Sequence, residues 1–221
     1  RRFTPDIIHI NTSCSPMGVV RDYLCMILTN RKSKIILHCR CTIADQLNGS
    51  KLGIVIFSKA AKRADKVFVL NDVSVQYVRK TSRVEAVKVP NYINKEYIRN
   101  TTKPINDRIE RLVYTGHIMH SKGINEIISA APKFPDKKFI LAGIISDEYK
   151  DYELPPNVVM TGNLEASEVR EQLDMADVFI FPSYTEGFSN SLAEAMARGL
   201  PVITTEVGAN VDMLEDRGGV Y

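Results

Sequence analysis

The sequence lacks the patterns that mark several whole classes of protein. No apolar run approaches the roughly 18 residues needed to cross a bilayer, and the N-terminus has no signal-peptide pattern. The four cysteines, which are Cys14, Cys25, Cys39 and Cys41, do not show the C-x-x-C spacing of redox and zinc sites. We therefore expect a cytosolic globular protein with reduced thiols and without a metal site.

A second absence is the G-x-G-x-x-G fingerprint of dinucleotide-binding folds, which counts against a dehydrogenase. Short apolar runs nevertheless alternate with amphipathic segments, a pattern typical of parallel sheets covered by crossover helices. We predict an α/β fold of two Rossmann-like domains, 1–106 and 107–221, with the polar segment 91–106 as the linker. The predicted strands are 6–11, 34–39, 66–71, 85–90, 111–116, 138–143, 158–162 and 178–181, and the predicted helices are 17–29, about 50–64, about 72–80, 123–131, 165–176 and 190–198.

Charge is distributed unequally between the two halves. Residues 1–106 contain 19 Lys and Arg against 7 Asp and Glu, giving +12, whereas residues 107–221 contain 10 against 19, giving −9. Such asymmetry indicates two modules, the first of which faces an anionic partner such as a phospholipid surface, a lipid diphosphate or nucleic acid. Solvated charge without a binding role is the alternative.

The stretch 177–205 contains a strand, a loop and a helix in which two carboxylates stand eight positions apart. It reads DVFIFPSYTEGFSNSLAEAMARGLPVITT, with Glu186 in the loop and Glu194 in the helix, and with Ser189 or Ser191 as the N-cap. An anion bound at this helix N-terminus would meet backbone amides and the positive end of the helix dipole. The spacing from Ser191 to Glu194 also fits a capping box, in which the glutamate only returns to the N-cap amide.

The run PSYTEGFSNSLAEAMARGLPVI resembles the signature of the group 1 retaining glycosyltransferases of family 4 type. That pattern has two glutamates separated by seven residues, followed by EAMA, a glycine and PVI. The resemblance implies that Glu186 contacts the donor sugar and that Glu194 holds the ribose of the nucleotide. It further implies that the diphosphate meets the backbone of Gly187, Phe188, Ser189 and Asn190.

A second segment, TGHIMHSKGINEII at 115–128, is similar to the GR…KG segment of the same family. The resemblance implies that Gly116 and Lys122 lie beside the donor diphosphate, where the lysine stabilises the charge of the leaving group. His117 stands where the family has an arginine, and a neutral imidazole supplies one donor and no fixed charge. His120 would compensate if its side chain points inward.

In the first half, His38 ends an apolar strand and matches a histidine that family members often place near the donor sugar. Strand ends line the ligand site in such sheets, although a structural role is the commoner fate of a lone histidine. Weaker candidates for the same site are His9, Asn11, Arg40 and Asn91.

The resemblance implies the GT-B fold, in which two Rossmann-like domains face across a cleft. It implies a retaining transferase that moves a sugar from a nucleotide diphosphate donor, UDP most readily, to a lipid-linked or saccharide acceptor in bacterial O-antigen or capsule synthesis. The donor is a substrate, so no cofactor and no metal are expected. A nucleotide-sugar epimerase of the same fold and a non-catalytic donor-binding or membrane-docking module are the alternatives.

Compared with this family, the chain is expected to be truncated at both ends, since it starts after the first strand and glycine-rich loop and stops at GGVY. A basic helix near Ile54, Val55, Ile56 and Phe57 is expected to lie on an anionic membrane, with no nucleic-acid partner. The protein would then be peripheral on the inner face of the cell membrane. The cations of this helix are Lys59, Lys62, Arg63 and Lys66.

Overall fold

The computed structural model describes residues 5–29, 32–101, 103–104 and 106–214, so Arg1, Arg2 and the closing GGVY lie outside the described residues. The chain divides into two compact units. The first runs up to Asn91 and also includes Glu186–Phe188, and the second comprises Tyr92–Thr185 and the residues from Ser189 onward. No described helix has both the length and the apolar character needed to cross a membrane.

The first unit is a four-stranded parallel sheet with the order β1-β2-β3-β4. Helices α1 and α3 pack against each other, and the core is built from inward residues of the strands together with Phe57, Ala60 and Ala61 of α3. Its elements are β1 (Ile7–Thr12), α1 (Pro16–Leu28), β2 (Lys34–Cys39), α2 (Ile43–Leu47), α3 (Lys51–Arg63), β3 (Lys66–Val69), α4 (Asp72–Ser82) and β4 (Ala86–Lys88).

Three helices of the first unit begin at polar residues whose side chains cap them. Ser15 accepts a hydrogen bond from the amide of Gly18, Ser50 from that of Gly53, and Asn71 from that of Ser74. Each cap satisfies one of the amides that a helix N-terminus leaves without an intrahelical partner. The starts of α1, α3 and α4 are therefore specified locally by the sequence.

The second unit is a five-stranded parallel sheet with the order β7-β6-β5-β8-β9, so the direction of strand addition reverses between β5 and β8. Its strands and α-helices are β5 (Arg111–Thr115), α5 (Ile124–Ala130), β6 (Lys138–Ala142), β7 (Val158–Gly162), α6 (Ala166–Met175), β8 (Val178–Phe181), α7 (Asn190–Ala197), β9 (Val202–Thr204) and α8 (Ala209–Leu214). Short 3₁₀-helices lie at Lys95–Tyr97, His120–Lys122, Ala131–Lys133 and Asp147–Tyr149.

The predicted α/β class with parallel sheets is confirmed, and every predicted strand and helix has a counterpart in the structure. Sequence reasoning did not predict α2, β9 or α8, which have 5, 3 and 6 residues and are too short for a clear hydrophobic period. The segment predicted as a linker differs from that expectation. From Tyr92 onward it groups with the second unit, because Ile93 and Tyr97 pack into the core of that unit.

Candidate functional site

A pocket of about 310 Å³ lies in the second unit at the carboxyl ends of its strands. Thr115 ends β5, Ala142 ends β6, and Asn163 and Leu164 follow β7 along its wall. Ligands of open parallel sheets bind beyond the carboxyl ends of the strands, where the strand order reverses. The pocket occupies this position, next to the reversal at β5 and β8.

Helix α7 brings Glu194 to the pocket. The helix begins at Asn190 with Ser189 as its N-cap, and the Ser189 side chain makes no capping hydrogen bond. Ser191 therefore lies inside the first turn, and the capping box from Ser191 to Glu194, as well as Ser191 as N-cap, is wrong. Glu194 instead lines the pocket together with Ser191, and burial raises the pKa of its carboxyl group.

Gly116 and His117 also line the pocket, directly after β5. The hydroxyl of buried Tyr114 donates a hydrogen bond to the carbonyl of His117 at 2.7 Å. This bond fixes the turn that follows β5. His117 itself is exposed. Three of the predicted donor-binding residues, Gly116, His117 and Glu194, thus lie around one cavity.

Lys122 lies on the 3₁₀-helix His120–Lys122 and is not among the described residues that line the pocket. The glycine that follows it is required by the packing. Gly123 has a φ of +72°, and a Cβ at this position would lie 2.0 Å from the carbonyl oxygen of Pro182. The carbonyl of Ser121 accepts a hydrogen bond from the amide of Tyr184 at 3.0 Å. The 3₁₀-helix that carries Lys122 therefore packs against the residues that follow β8.

His120 belongs to a side-chain network of the second unit. The Tyr149 hydroxyl donates to Oδ1 of Asn125 at 2.8 Å, and Nδ2 of Asn125 donates to Nδ1 of His120 at 3.2 Å. Because Nδ1 accepts, the neutral ring carries its proton on Nε2. The ring lies against Tyr184 with centroids 5.6 Å apart.

The segment Glu186–Phe188, called the signature loop below, belongs to the first unit. Glu186 is 9% exposed, and its carbonyl accepts a hydrogen bond from the hydroxyl of Thr42. Nδ2 of Asn71 donates to the carbonyl of Gly187 at 2.8 Å. The remaining predicted amide contributors, Ser189 and Asn190, lie in the second unit, where the buried Ser189 hydroxyl donates to Oδ1 of Asn210.

His38 is 6% exposed and lies in a ring cluster on one face of the first sheet. Its ring stacks on His9 at 5.3 Å and meets Phe68 edge-on at 5.8 Å. Burial, and next the charge of Arg40, lower the pKa of His38.

The hydrogen bonds of His38 fix its tautomer. A guanidinium only donates, so Nη1 of Arg40 donates to Nε2 of His38 at 3.4 Å, and Nδ1 of His38 then donates to Nε2 of His9 at 3.2 Å. The structure brings the candidates His38, His9 and Arg40 together, whereas Asn11 is exposed two residues further along β1.

Sequence reasoning missed four residues beside these sites. Tyr97 and Thr115 line the pocket, and the Thr115 hydroxyl is buried there without a hydrogen-bond partner among the described residues. Thr42 and Asn71 hold the signature loop. The signal that could have found the last two was their position, since each closely follows a strand of a parallel sheet.

Within the described residues, no group of three or more His, Cys, Asp or Glu side chains could hold a metal ion. The predicted reduced cysteines are unpaired, with Cys14 and Cys39 buried.

Known proteins resemble this chain in sequence and in fold. Residues 96–220, more than half of the chain, match the family model described as glycosyl transferases group 1. The chain is 30% identical over 114 residues to the alpha-galactosylglucosyldiacylglycerol synthase of Streptococcus pneumoniae, covering 47% of this chain and 30% of the relative. It is 32% identical over 121 residues to a capsular polysaccharide biosynthesis glycosyltransferase of Staphylococcus aureus, covering 50% and 31%.

A solved structure of similar fold is Anabaena HepE in complex with UDP, with a TM-score of 0.75 at 16% identity, covering 94% of this chain and 62% of HepE. In all three comparisons the match spans less than two thirds of the other protein's length. The structural likeness confirms the GT-B fold class, and the family match establishes membership. The chain belongs to the group 1 glycosyl transferases.

Proposed function

We propose that the protein is a retaining glycosyltransferase that uses a nucleotide diphosphate sugar, most readily a UDP-sugar, and transfers it to a lipid-linked or saccharide acceptor in bacterial O-antigen or capsule synthesis. The observation that carries the proposal is the pocket at the strand reversal of the second unit, which Gly116, His117 and Glu194 line together. A neighbour of the same fold, HepE, was solved with UDP.

Glu194 supplies the group that a ribose requires. A carboxylate accepts two hydrogen bonds, and the two neighbouring ribose hydroxyls donate them. Burial disfavours the charged form of Glu194, as its raised pKa indicates, and hydrogen bonds from a ribose would offset that cost. The hydroxyl of Thr115 is a further polar group without a described partner, and a nucleotide would satisfy it.

From the family resemblance, the diphosphate is assigned to the turn after β5, to the backbone amides of Gly187–Asn190 and to Lys122. Gly116 leaves the backbone open at the pocket wall, and His117 supplies one hydrogen-bond donor where the family has an arginine. Lys122 is the fixed cation for the negative charge that develops on the leaving diphosphate. The reaction then requires no metal and no cofactor, and EDTA should leave the rate unchanged.

Retention of the anomeric configuration is proposed from the family resemblance. In this proposal the phosphate of the donor receives the acceptor proton while Glu186 contacts the sugar ring. His38 is also assigned to the sugar, and it is a buried histidine whose pKa is lowered. The neutral imidazole suits a hydrogen-bonding role. Proton NMR of the first product formed tests retention, because the anomeric coupling reports the configuration directly.

We further propose that the first unit binds an anionic membrane surface on the inner face of the cell membrane. The supporting surface differs from the predicted one. Phe57 is buried in the core, and Lys66 begins β3 instead of lying on the helix. The exposed face of α3 carries Leu52, Val55, Lys59 and Lys62, whose spacing of three, four and three places them along one side.

Helix α1, which packs against α3, continues this surface. Its exposed apolar side chains are Met17, Leu24, Ile27 and Leu28. Apolar residues beside cations are the composition of helices that lie in a membrane interface.

A screen of nucleotide sugars by thermal shift, followed by a transfer assay with the full-length protein, tests the function. Selective binding raises the melting temperature by mass action. Transfer to an acceptor supports the proposal. Turnover of the donor without an acceptor would identify an epimerase, and binding without any turnover would identify a non-catalytic donor-binding module.

A further inference from the structure

The backbone of the signature loop is held by two side chains of the first unit. Thr42 follows β2 and Asn71 follows β3, and both are buried. They hydrogen-bond the carbonyls of Glu186 and Gly187, which are consecutive residues. We infer that Asn71 and Thr42 are positioning residues for glycosyl transfer, because they fix the backbone from which the Glu186 carboxylate projects. This inference rests on the proposed function.

The Asn71 amide has a single possible orientation. Its Oδ1 accepts from the amide of Ser74 at 2.9 Å, and its Nδ2 donates to the carbonyl of Gly187 at 2.8 Å. A backbone amide only donates and a carbonyl only accepts, so exchanging oxygen and nitrogen would break both bonds. The amide oxygen therefore caps helix α4, and the amide nitrogen hydrogen-bonds the signature loop.

The Thr42 hydroxyl connects the two carbonyls into one network. Nδ2 of Asn71 also donates to Oγ1 of Thr42 at 3.3 Å, and the Thr42 proton is given to the carbonyl of Glu186. The bonds therefore run in one direction, from Asn71 through Thr42 to Glu186. In a buried chain of this kind each bond polarises the next, which stiffens the arrangement.

Gly187 explains why the loop sits close enough for these bonds. A Cβ at Gly187 would lie 2.8 Å from Cα of Cys41 and 3.1 Å from the carbonyl oxygen of Arg40. Only glycine permits this approach without a backbone shift. Thr42 and Asn71 hold the two carbonyls, and Gly187 packs closely against residues 40–41. Together these contacts set the direction of the Glu186 side chain.

The two hydrogen-bonding roles of the Asn71 side chain can be separated by mutation. Aspartate and serine cap helices about as well as asparagine, so Asn71→Asp and Asn71→Ser keep the acceptor for Ser74. Neither keeps the Nδ2 donor to Gly187. Both variants therefore test the hold on the loop while leaving the cap of α4 in place.

The test uses the full-length protein and measures transfer kinetics, melting temperature and amide hydrogen exchange. In both Asn71 variants we expect kcat to fall by about a hundredfold, the usual scale for a displacement of about 1 Å at a reacting centre. Donor KM should change by less than kcat, because Glu194, Gly116 and His117, which line the pocket, are untouched. Exchange should rise in the peptide that contains Glu186–Phe188. Thr42→Val should act in the same direction, and Thr42→Ser, which keeps the hydroxyl, should restore turnover.

Asn157 is the matched control, since its Nδ2 also donates to backbone carbonyls, those of Ala131, Phe134 and Lys137. Asn157→Asp should lower the melting temperature and leave kcat unchanged. An equal loss of kcat in Asn157→Asp, or unchanged exchange and unchanged kcat in the Asn71 variants, would overturn the inference. A wild-type protein that transfers no sugar would refute the proposed function and the catalytic role of the network, while hydrogen exchange would still report separately whether Asn71 holds the loop.

Discussion

The two units contain the same kind of parallel sheet, but among the described strands the order reverses only in the second. The first sheet runs β1-β2-β3-β4 without a reversal, and its candidate residues are held by side-chain networks around His38 and Asn71. The second sheet reverses between β5 and β8, and its pocket lies at that point. Strand order therefore distinguishes the two units, and the pocket accompanies the reversal.

The second unit should show the strongest kinetic effect, and we expect it at Lys122. If Lys122 stabilises the leaving diphosphate, Lys122→Ala should lower kcat by at least about a hundredfold, the usual loss for one preorganised electrostatic contact. Steady-state kinetics with a saturating acceptor measures this, with Lys133→Ala as the control for an exposed lysine of the same unit. Near-normal turnover of Lys122→Ala would mean that Lys122 is a solvated side chain without a catalytic role.

The comparison also shows how much the sequence alone could predict. The parallel sheets followed from the alternation of apolar and amphipathic runs, and the grouping of Gly116, His117 and Glu194 followed from the family resemblance. The capping box failed, because local spacing cannot tell whether α7 begins at Asn190 or after Ser191. The roles of Thr42 and Asn71 depend on partners 144 and 116 positions away in sequence, a separation that no local pattern encodes.

Glu186 in the first unit should have the next largest effect, and a different one from a residue that only binds. Its contact with the sugar should strengthen as charge builds at the anomeric centre, so Glu186→Gln should reduce kcat by about tenfold or more. Donor affinity should stay within a few fold. Parallel losses of kcat and donor affinity from Glu186→Gln would contradict the assignment, and calorimetry with kinetics separates the two.

Vesicle binding should distinguish the units by charge. Reversal of Lys59 and Lys62 to glutamate should weaken binding to anionic vesicles by at least about tenfold, because each cation near such a surface contributes to attraction that salt screens. The control is reversal of Lys133 and Lys138, two exposed cations of the second unit, which should change little. If both double variants weaken vesicle flotation equally, the proposed membrane surface on the first unit is wrong.

The smallest effect concerns His38, whose pKa burial lowers. The unfolded chain binds this proton more readily than the folded one, so the stability that His38 contributes is present above its ordinary pKa of about 6.5 and is lost as the pH falls through the folded value. Urea unfolding between pH 8 and 5 should therefore show a steeper loss of stability in the wild type than in His38→Gln. Parallel curves would mean that the histidine titrates alike in both states.

Titration calorimetry with UDP tests whether the pocket of the second unit holds the nucleotide through Glu194. Loss of a hydrogen-bonded charge costs about 1.5–3 kcal/mol, so Glu194→Gln should weaken UDP binding by roughly tenfold or more. Glu171→Gln makes the same change at an exposed position of α6 that does not line the pocket, and it should bind UDP like the wild type. Unchanged UDP affinity in Glu194→Gln would contradict the ribose-binding role of this glutamate.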